Sequence, residues 1–273
     1  MLRPLRSIAR LLAAFALVVA AHPAAAADAA AGGLARVVSS GTLRVGMSGA
    51  QPPLNFESKS GDVMGLEVDL ARALAGLMGV ELLIVEKPFA ELLDALAAGQ
   101  VDVVMSGMTT TPERSLRAAF VGPYYLSGKS ILTRSSALAQ ADEAADLDSA
   151  ALKLAALAGS TSEQFARRKL PKASLVTTPD YDAAVKLLLE GKVNALIADR
   201  EILALTAFLH PKEGLATLRE TLTIEPIGIA VPVGDAAFVH YLQNATAALE
   251  ASGVLNSVRS RWLERGEWVQ QLP

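Results

Sequence analysis

The sequence predicts an α/β protein with two lobes, each a mixed sheet flanked by helices, joined by a two-segment hinge. Short apolar segments typical of buried strands alternate with segments whose apolar residues recur at helical spacing, as in parallel βαβ units. The alternation stops at a polar, alanine-rich connection, 139–151, and then restarts. A late strand-like segment, 227–231, followed by two helical segments, indicates a return to the first lobe. We expect lobe 1 to comprise 28–129 and 225–273, and lobe 2 to comprise 130–224.

The first lobe shows the alternation most clearly. A strand over 42–47 follows a Ser-Ser-Gly turn, and a helix over 67–78 carries its apolar residues on one face. Strands at 81–85 and 101–105 are separated by a helix at 91–98. This order of elements predicts a sheet of parallel strands.

The second lobe repeats the pattern after an extended segment, 126–134. Its predicted strands are 153–158, 174–177 and 195–198, and its predicted helices are 163–169, 181–190 and 201–208. The helices that follow the late strand are predicted at 235–251 and 253–264.

Residues 1–27 have the composition of a cleavable secretory signal peptide. Three arginines lie within the first ten residues, an apolar run over 11–21 is short for a membrane span, and small residues follow. We expect cleavage after Ala26 or Ala27. A retained membrane anchor is the alternative.

The amino-acid composition restricts where the protein can be located and what it can bind. The chain has no cysteine, which removes any site for a lipid anchor and leaves a periplasmic protein without stable membrane insertion as the expectation. Loss of the three signal arginines changes the formal net charge from −3 to −6, and a chain without a basic excess is not expected to bind nucleic acid. Nothing in the sequence calls for an oligomer, so we expect a monomer.

The segment 106–114, Ser-Gly-Met-Thr-Thr-Thr-Pro-Glu-Arg, is the most informative in the chain. It follows a predicted buried strand and ends in the first turn of a helix, with Thr111 as N-cap and Pro112 at the first helical position. Arg114 then lies beside free backbone N–H groups, an arrangement suited to a small carboxylate. The alternative is a structural corner in which Arg114 pairs with a nearby glutamate.

Two further segments follow strands of the second lobe. Ser160 and Glu163 match a capping box that opens a helix, so the Gly-Ser-Thr turn around Ser160 is either an ordinary cap or an anion site. Asp199 directly follows an apolar strand, at the edge where open α/β sheets bind ligands, although it could simply cap the next helix. An α-amino acid would suit these residues, because Arg114 could bind its carboxylate and Asp199 and Thr109 could bind its ammonium group.

Several motifs resemble a known family, the family 3 periplasmic solute-binding proteins of ABC transporters for polar amino acids. Leu-Arg-Val-Gly at 43–46, with Pro-Pro at 52–53, is similar to the family's opening strand and loop. Gly-Leu-Glu-Val-Asp-Leu-Ala at 65–71 resembles its first helix entry. The segment 106–114 and the Phe-x-x-Pro-Tyr-Tyr at 120–125 resemble its most specific motif. The resemblance implies a type II periplasmic binding protein fold and, as partners, an amino acid ligand and an inner-membrane permease.

The resemblance also implies roles for individual residues. Arg114 would hold the ligand carboxylate with help from Thr161 and Ser160, and Asp199 would hold the ammonium group with Thr109 and the main chain of Ser106. The residues implied to surround the ligand side chain are Phe89, Gln51 and Leu54.

Departures from the family pattern bear on the ligand and the chemistry. Gln51 stands where the family commonly has an aromatic residue, and no acid lies near Ser48, which favours a neutral or polar ligand over lysine or arginine. Cyclohexadienyl dehydratases resemble these binding proteins, so an enzyme on the same fold is the alternative, with Glu57 as the nearest candidate acid. The histidines are scattered and cysteine is absent, so we expect no enzyme activity, no metal and no cofactor.

Overall fold

The computed structural model describes residues 32–273, so the predicted signal peptide lies outside the described residues. The strands, numbered along the chain, are β1 Thr42–Met47, β2 Ala50–Gln51, β3 Asn55–Glu57, β4 Val63–Met64, β5 Glu81–Glu86, β6 Val103–Val104, β7 Ala118–Ser127, β8 Lys129–Thr133, β9 Lys153–Leu157, β10 Ser174–Thr178, β11 Ala195–Asp199, β12 Ala216–Thr217 and β13 Glu225–Pro232. The α-helices are α1 Gly33–Ser40, α2 Leu66–Met78, α3 Leu92–Ala97, α4 Pro112–Ser115, α5 Ala144–Leu147, α6 Thr161–Lys169, α7 Tyr181–Leu189, α8 Arg200–Leu209, α9 Ala236–Ala251 and α10 Val254–Arg259.

The first of two five-stranded sheets has the strand order β5-β1-β6-β13-β7. β1 pairs in parallel with both β5 and β6, as expected for strands joined by the helices α2 and α3. β13 is antiparallel to β6 and β7, so the late strand lies inside the first sheet. A small antiparallel sheet, β2-β3-β4, stands beside it.

The second five-stranded sheet has the order β10-β9-β11-β8-β12. β9 is parallel to β10 and β11, whereas β8 is antiparallel to β11 and β12. Each sheet therefore joins a parallel set to antiparallel neighbours and carries helices against it. The predicted α/β fold with mixed sheets is confirmed.

Two segments connect the sheets, and they lie side by side. The first is Gly128, between the end of β7 in the first sheet and the start of β8 in the second. The second, 218–224, leads from β12 back to β13. A Cβ atom on residue 128 would lie 2.6 Å from the Thr221 Cβ and 2.6 Å from the Thr223 carbonyl oxygen, so glycine is required by the close approach of the two segments.

Different residue types build the cores of the two lobes. In the first, the rings of Phe56, Trp262 and Trp268 pack with centroids 5.5–6.0 Å apart. In the second, the core members are mainly alanine, leucine and isoleucine, among them Ala156 and Ile197. The few aromatic residues of the chain are thus concentrated where the C-terminal helices return to the first sheet.

The structure differs locally from the sequence-based predictions. Only Val103–Val104 of the strand predicted at 101–105 joins the ladder. The helix predicted at 253–264 is divided into α10 and a π-helical turn, Ser260–Glu264. The helix α1 and the small sheet were not predicted, and the strands of that sheet, of two or three residues, are too short to show a period.

Candidate functional site

Two adjoining cavities lie between the lobes and share the side chains of Gln51, Phe89, Leu157 and Tyr181. The smaller cavity, of about 10 Å³, is the more polar. The larger has a volume of about 230 Å³. The smaller is also lined by Gly107, Arg114, Ser160, Thr161, Ser162 and Asp199, and the larger by Ser48, Ala50, Pro88, Pro179 and Asp180.

Arg114 is presented to the smaller cavity by the short helix α4. The Thr111 hydroxyl accepts a hydrogen bond from the Arg114 N–H at 3.2 Å, which confirms the predicted N-cap. The guanidinium is buried. It donates to the Thr109 carbonyl at 2.9 Å and, across the lobes, to the Gly159 carbonyl at 3.2 Å.

The charge of Arg114 remains open to a ligand. In the described part of the chain it forms no ion pair, so the alternative of a structural arginine–glutamate pair is not what the structure shows. Burial lowers the pKa of Arg114 to about 10, which still leaves it charged at neutral pH. A guanidinium has five N–H donors, and two are bonded to carbonyls. The remaining donors suit a carboxylate.

The start of α6 faces the same cavity from the second lobe. The Ser160 hydroxyl accepts from the Glu163 N–H at 3.1 Å and donates to the Leu157 carbonyl at 2.7 Å, so capping uses this hydroxyl fully. The Glu163 carboxylate returns to the Gly159 N–H at 2.8 Å, one residue earlier than a capping box requires. The first N–H groups of the helix, at Thr161 and Ser162, have no partner among residues 32–273 and can meet an anion.

Asp199 ends β11 and lines the smaller cavity. It stands at the N-cap position of α8, but its side chain makes no capping bond, so the alternative reading of Asp199 as a simple cap is wrong. Its carboxylate is instead 3.3 Å from the ammonium nitrogen of Lys129. Burial raises the pKa of Asp199, and the Lys129 ammonium opposes that rise.

Lys129 is the charged residue that the sequence analysis missed. Its side chain is 1 % exposed, and its Nζ lies 2.6 Å from Thr161 Oγ1, 3.3 Å from Asp199 Oδ1 and 3.3 Å from Glu225 Oε2. The antiparallel register of β8 and β11 places Lys129 directly opposite Asp199. A lysine at the start of the otherwise uncharged strand β8, 129–133, was the signal that could have identified it.

Hydroxyl groups connect this charged group to the first lobe. Thr161 Oγ1 donates to Glu225 Oε2 at 3.1 Å and lies 3.4 Å from Thr109 Oγ1. Thr223 donates to the other Glu225 oxygen at 2.7 Å. The Thr109 and Thr161 side chains therefore meet across the interlobe cleft.

Polar contacts within the first lobe hold the opposite wall. Gln51 donates to Ser48 Oγ at 3.0 Å and to Ser106 Oγ at 3.3 Å. The fully buried Glu67 accepts from the Gly107 N–H at 2.6 Å and the Asn55 amide at 2.5 Å. These bonds fix the loop that precedes α4.

The structure brings most of the predicted site residues together. Two of them are hydrogen-bonded to residues that line the smaller cavity. Ser106 accepts from Gln51, and the Thr109 carbonyl accepts from Arg114. Leu54 packs in the core of the first lobe and lines neither cavity. Those that line the smaller cavity are Gln51, Phe89, Arg114, Ser160, Thr161 and Asp199.

The charges of the smaller cavity define what it can hold. A guanidinium and a carboxylate face the same small space from opposite lobes, so their charges complement a molecule that carries both a carboxylate and an ammonium group. Residues 32–273 contain neither a cluster of acids and histidines suited to a metal ion nor a helix able to span a membrane.

Comparison with known proteins gives the chain its relatives. It is 29% identical to a cyclohexadienyl dehydratase of Pseudomonas aeruginosa over 85% of this chain and 86% of that protein. It is 30% identical to an L-arginine-binding protein of the same organism, with 92% and 95% covered. A putative ABC transporter binding component from Wolinella succinogenes, solved with lysine, is 33% identical, with a TM-score of 0.79 and coverage of 84% and 99%.

Most of the relatives are binding proteins for amino acids. The family model of the bacterial extracellular solute-binding proteins, family 3, matches residues 43–265, which include both sheets and all the residues of the two cavities. The chain belongs to the bacterial extracellular solute-binding proteins of family 3.

Proposed function

We propose that this chain is the periplasmic substrate-binding component of an ABC importer and that it closes on one α-amino acid. The observation that carries the proposal is that Arg114 and Asp199, of opposite charge, both line one small interlobe cavity. Relatives that bind glutamine, cystine or arginine support it.

The ligand's two charges go to two subsites. The carboxylate subsite consists of Arg114 and the free N–H groups of Thr161 and Ser162. The amino subsite consists of Asp199, the Thr109 hydroxyl and the main chain of Ser106. Each charge is then buried against its opposite, which is the condition for taking a zwitterion out of water.

The ligand side chain extends into the larger cavity. Its volume of about 230 Å³ accommodates a large side chain, and its walls are mainly uncharged, with Phe89, Leu157 and Tyr181 shared with the smaller cavity. Asp180 is the one acid among the residues that line this cavity; its Oδ1 accepts the Ala183 N–H at 2.7 Å as a helix cap, and its second oxygen has no such role. The other walls favour a neutral or polar side chain, and Asp180 is the one lining residue that would favour a cationic one.

Ligand entry requires the lobes to separate, because a cavity of about 10 Å³ cannot admit an amino acid. The hinge consists of Gly128 and 218–224, which gives lobe 1 as 28–129 with 225–273 and lobe 2 as 130–224. The bond from Arg114 to Gly159 and the contact of Thr109 with Thr161 form only when the lobes are closed.

The partner is the inner-membrane permease, which receives the amino acid from the closed protein. The protein acts as a monomer in the periplasm after its signal peptide is removed. A net charge of −6 for the chain without its signal arginines is compatible with a freely diffusing periplasmic protein.

The dehydratase relative makes an enzyme the second candidate. Such a reaction needs an acid aimed at the ligand. The acids that line the cavities are Asp199 and Asp180, and each is bonded to a partner within the chain. Glu57 is exposed on β3 and lines neither cavity, so binding without turnover is the better-supported function.

Isothermal titration of the mature protein with the twenty common amino acids tests the proposal. We expect one or a few neutral amino acids to bind with dissociation constants near micromolar, about −8 kcal/mol. Incubation with prephenate and arogenate, followed by chromatography, tests the enzyme. Turnover would assign the protein to the enzyme class, and absence of binding by every amino acid would refute the proposed ligand.

A further inference from the structure

We propose that Lys129 is a specificity-determining residue that holds the amino subsite at one net negative charge, so that the subsite accepts a single ammonium group. The inference rests on the proposed function, because it concerns the same amino acid. It assigns a role to a residue that does not itself line the cavity.

The geometry places Lys129 behind the amino subsite. Its Nζ lies between Asp199, which faces the cavity, and Glu225, which does not line it, at 3.3 Å from an oxygen of each. The third contact is Thr161 Oγ1 at 2.6 Å. The contacts with Thr161 and Asp199 are hydrogen bonds, and the contact with Glu225 is an ion pair.

The charge count follows from these contacts. Two buried carboxylates and one ammonium group leave one net negative charge, which the ligand ammonium neutralises when it reaches the free oxygen of Asp199. Without Lys129, two carboxylates would stand in the same dry space. Buried like charges this close do not both ionise readily, and the hydroxyls of Thr161 and Thr223 already donate to Glu225, so Asp199 would retain a proton. The remaining charge would then lie on Glu225, which does not line the cavity.

Other charged groups surround the pair and do not replace Lys129. Arg114 faces Asp199 and Glu225 from the first lobe, but the ligand carboxylate engages it. Tyr181 and the buried Glu201 also lie within electrostatic range of Asp199. Burial and the Asp199 charge raise the pKa of Glu201 to about 8, so it carries little charge at neutral pH.

The proposal predicts a change in proton coupling when the charge of Lys129 is removed. In Lys129→Met the ligand ammonium must displace the retained proton, so binding releases about one proton more than in the wild type. Affinity then rises by up to about tenfold per pH unit between pH 6 and 8, beyond any slope of the wild type. Because the Asp199 charge raises the pKa of Glu201, the comparison is also made with Glu201→Gln in both proteins, which removes the titration of Glu201.

A second variant separates charge from packing. Lys129→Met combined with Glu225→Gln leaves Asp199 as the one carboxylate of the pair, so Asp199 ionises again and presents its charge to the ligand without the lysine. We expect Lys129→Met to weaken binding by at least about 30-fold at pH 7, and the double variant to recover to within about fivefold of the wild type. Lys186→Met, on the exposed surface of α7, is the matched control and keeps wild-type affinity.

The test is calorimetry at pH 6, 7 and 8, in pairs of buffers with different ionisation enthalpies, with the best wild-type amino acid and its 2-hydroxy analogue. Wild-type binding of the amino acid tests the proposed function, and if it is absent both proposals fail. An unchanged affinity and pH slope in Lys129→Met, or a double variant no better than the single one, refutes only the role of Lys129.

Two further results complete the test. If the wild type binds the 2-hydroxy acid as tightly as the amino acid, Lys129 itself acts as the ammonium group and the proposal is overturned. If circular dichroism shows that Lys129→Met does not fold, the single variant Glu225→Gln tests the proposal instead. It leaves the subsite neutral, so we expect at least about tenfold weaker amino acid binding without the additional pH slope. Wild-type affinity in that variant would overturn the charge count.

Discussion

The carboxylate subsite and the amino subsite are built in opposite ways. Arg114 lies in one continuous segment, 106–114, and Thr111 of that segment caps its helix, although Gln51 and Glu67 hold the loop before it. Asp199, Lys129 and Glu225 come from three strands, and Lys129 and Asp199 are 70 residues apart in sequence. The cap that orients Arg114 is encoded locally, whereas the amino subsite exists only once both sheets and the hinge have formed.

The two subsites also differ in how much charge they leave for a ligand. Arg114 donates to backbone carbonyls and forms no ion pair with any described acid. The charges of the amino subsite already balance in part, because the Lys129 ammonium lies against both carboxylates. Loss of the guanidinium without an ion pair should therefore cost more ligand affinity than loss of one charge from the balanced group.

The largest effect is expected for Arg114→Ala. The ligand carboxylate would be buried without its guanidinium, so we expect affinity to fall by at least about 100-fold, or about 3 kcal/mol. Calorimetry with the best wild-type amino acid measures it. Arg117→Ala removes an exposed arginine that pairs with Asp94, and it should leave the affinity unchanged. Comparable binding by Arg114→Ala and the wild type would remove the carboxylate subsite from the proposal.

A smaller loss is expected for Asp199→Asn. The substitution keeps the shape and leaves Lys129 paired with Glu225, so the amino subsite becomes neutral. We expect affinity to fall by about 10- to 50-fold, because hydrogen-bond acceptance remains and only the charge is lost. The matched control is Asp142→Asn, an exposed aspartate that lines neither cavity, and it should leave the affinity unchanged. Equal losses in the two variants would contradict the assignment of Asp199.

The sequence predicted the local subsite better than the assembled one. Arg114 and its Thr111 cap could be identified because capping residues and proline act within one helical turn. Asp199 was predicted from its position after an apolar strand. Lys129 was not, because its partner depends on the register of β8 against β11, which no local pattern specifies.

The restriction of sequence patterns to local structure also explains which helices and strands were predicted. The longer helices α2 and α7 and the strands of five or six residues were predicted because their apolar spacing is regular. The two- and three-residue strands of the small sheet have no readable period. Leu54 was assigned to the ligand by resemblance alone, and the structure packs it in the core, since neither cavity reaches it.

We expect pH to affect the amino subsite and not the carboxylate subsite. The smallest of the expected effects concerns Glu201. Glu201 is buried beside the hinge strand β7, where it accepts hydrogen bonds from Ser127 Oγ at 2.6 Å and from Tyr125 Oη at 3.5 Å. Burial first, and then the charge of Asp199, raise the pKa of Glu201 from 4.5 to about 8. The folded protein therefore binds a proton that the unfolded chain releases above its ordinary pKa.

This difference makes the folded state lose stability as pH rises from about 5 to 8, because the folded state holds more protons than the unfolded chain in that window. One such group contributes a slope of at most about 1.4 kcal/mol per pH unit to the free energy of unfolding. Glu201→Gln removes the titration, so urea unfolding at pH 5, 6, 7 and 8 should show a flatter profile. Glu220 is an exposed acid in the second connecting segment, 218–224, and Glu220→Gln should keep the wild-type slope. An identical slope in Glu201→Gln and the wild type would show that Glu201 is already ionised in the folded protein, and that the amino subsite carries one more negative charge than Lys129 balances.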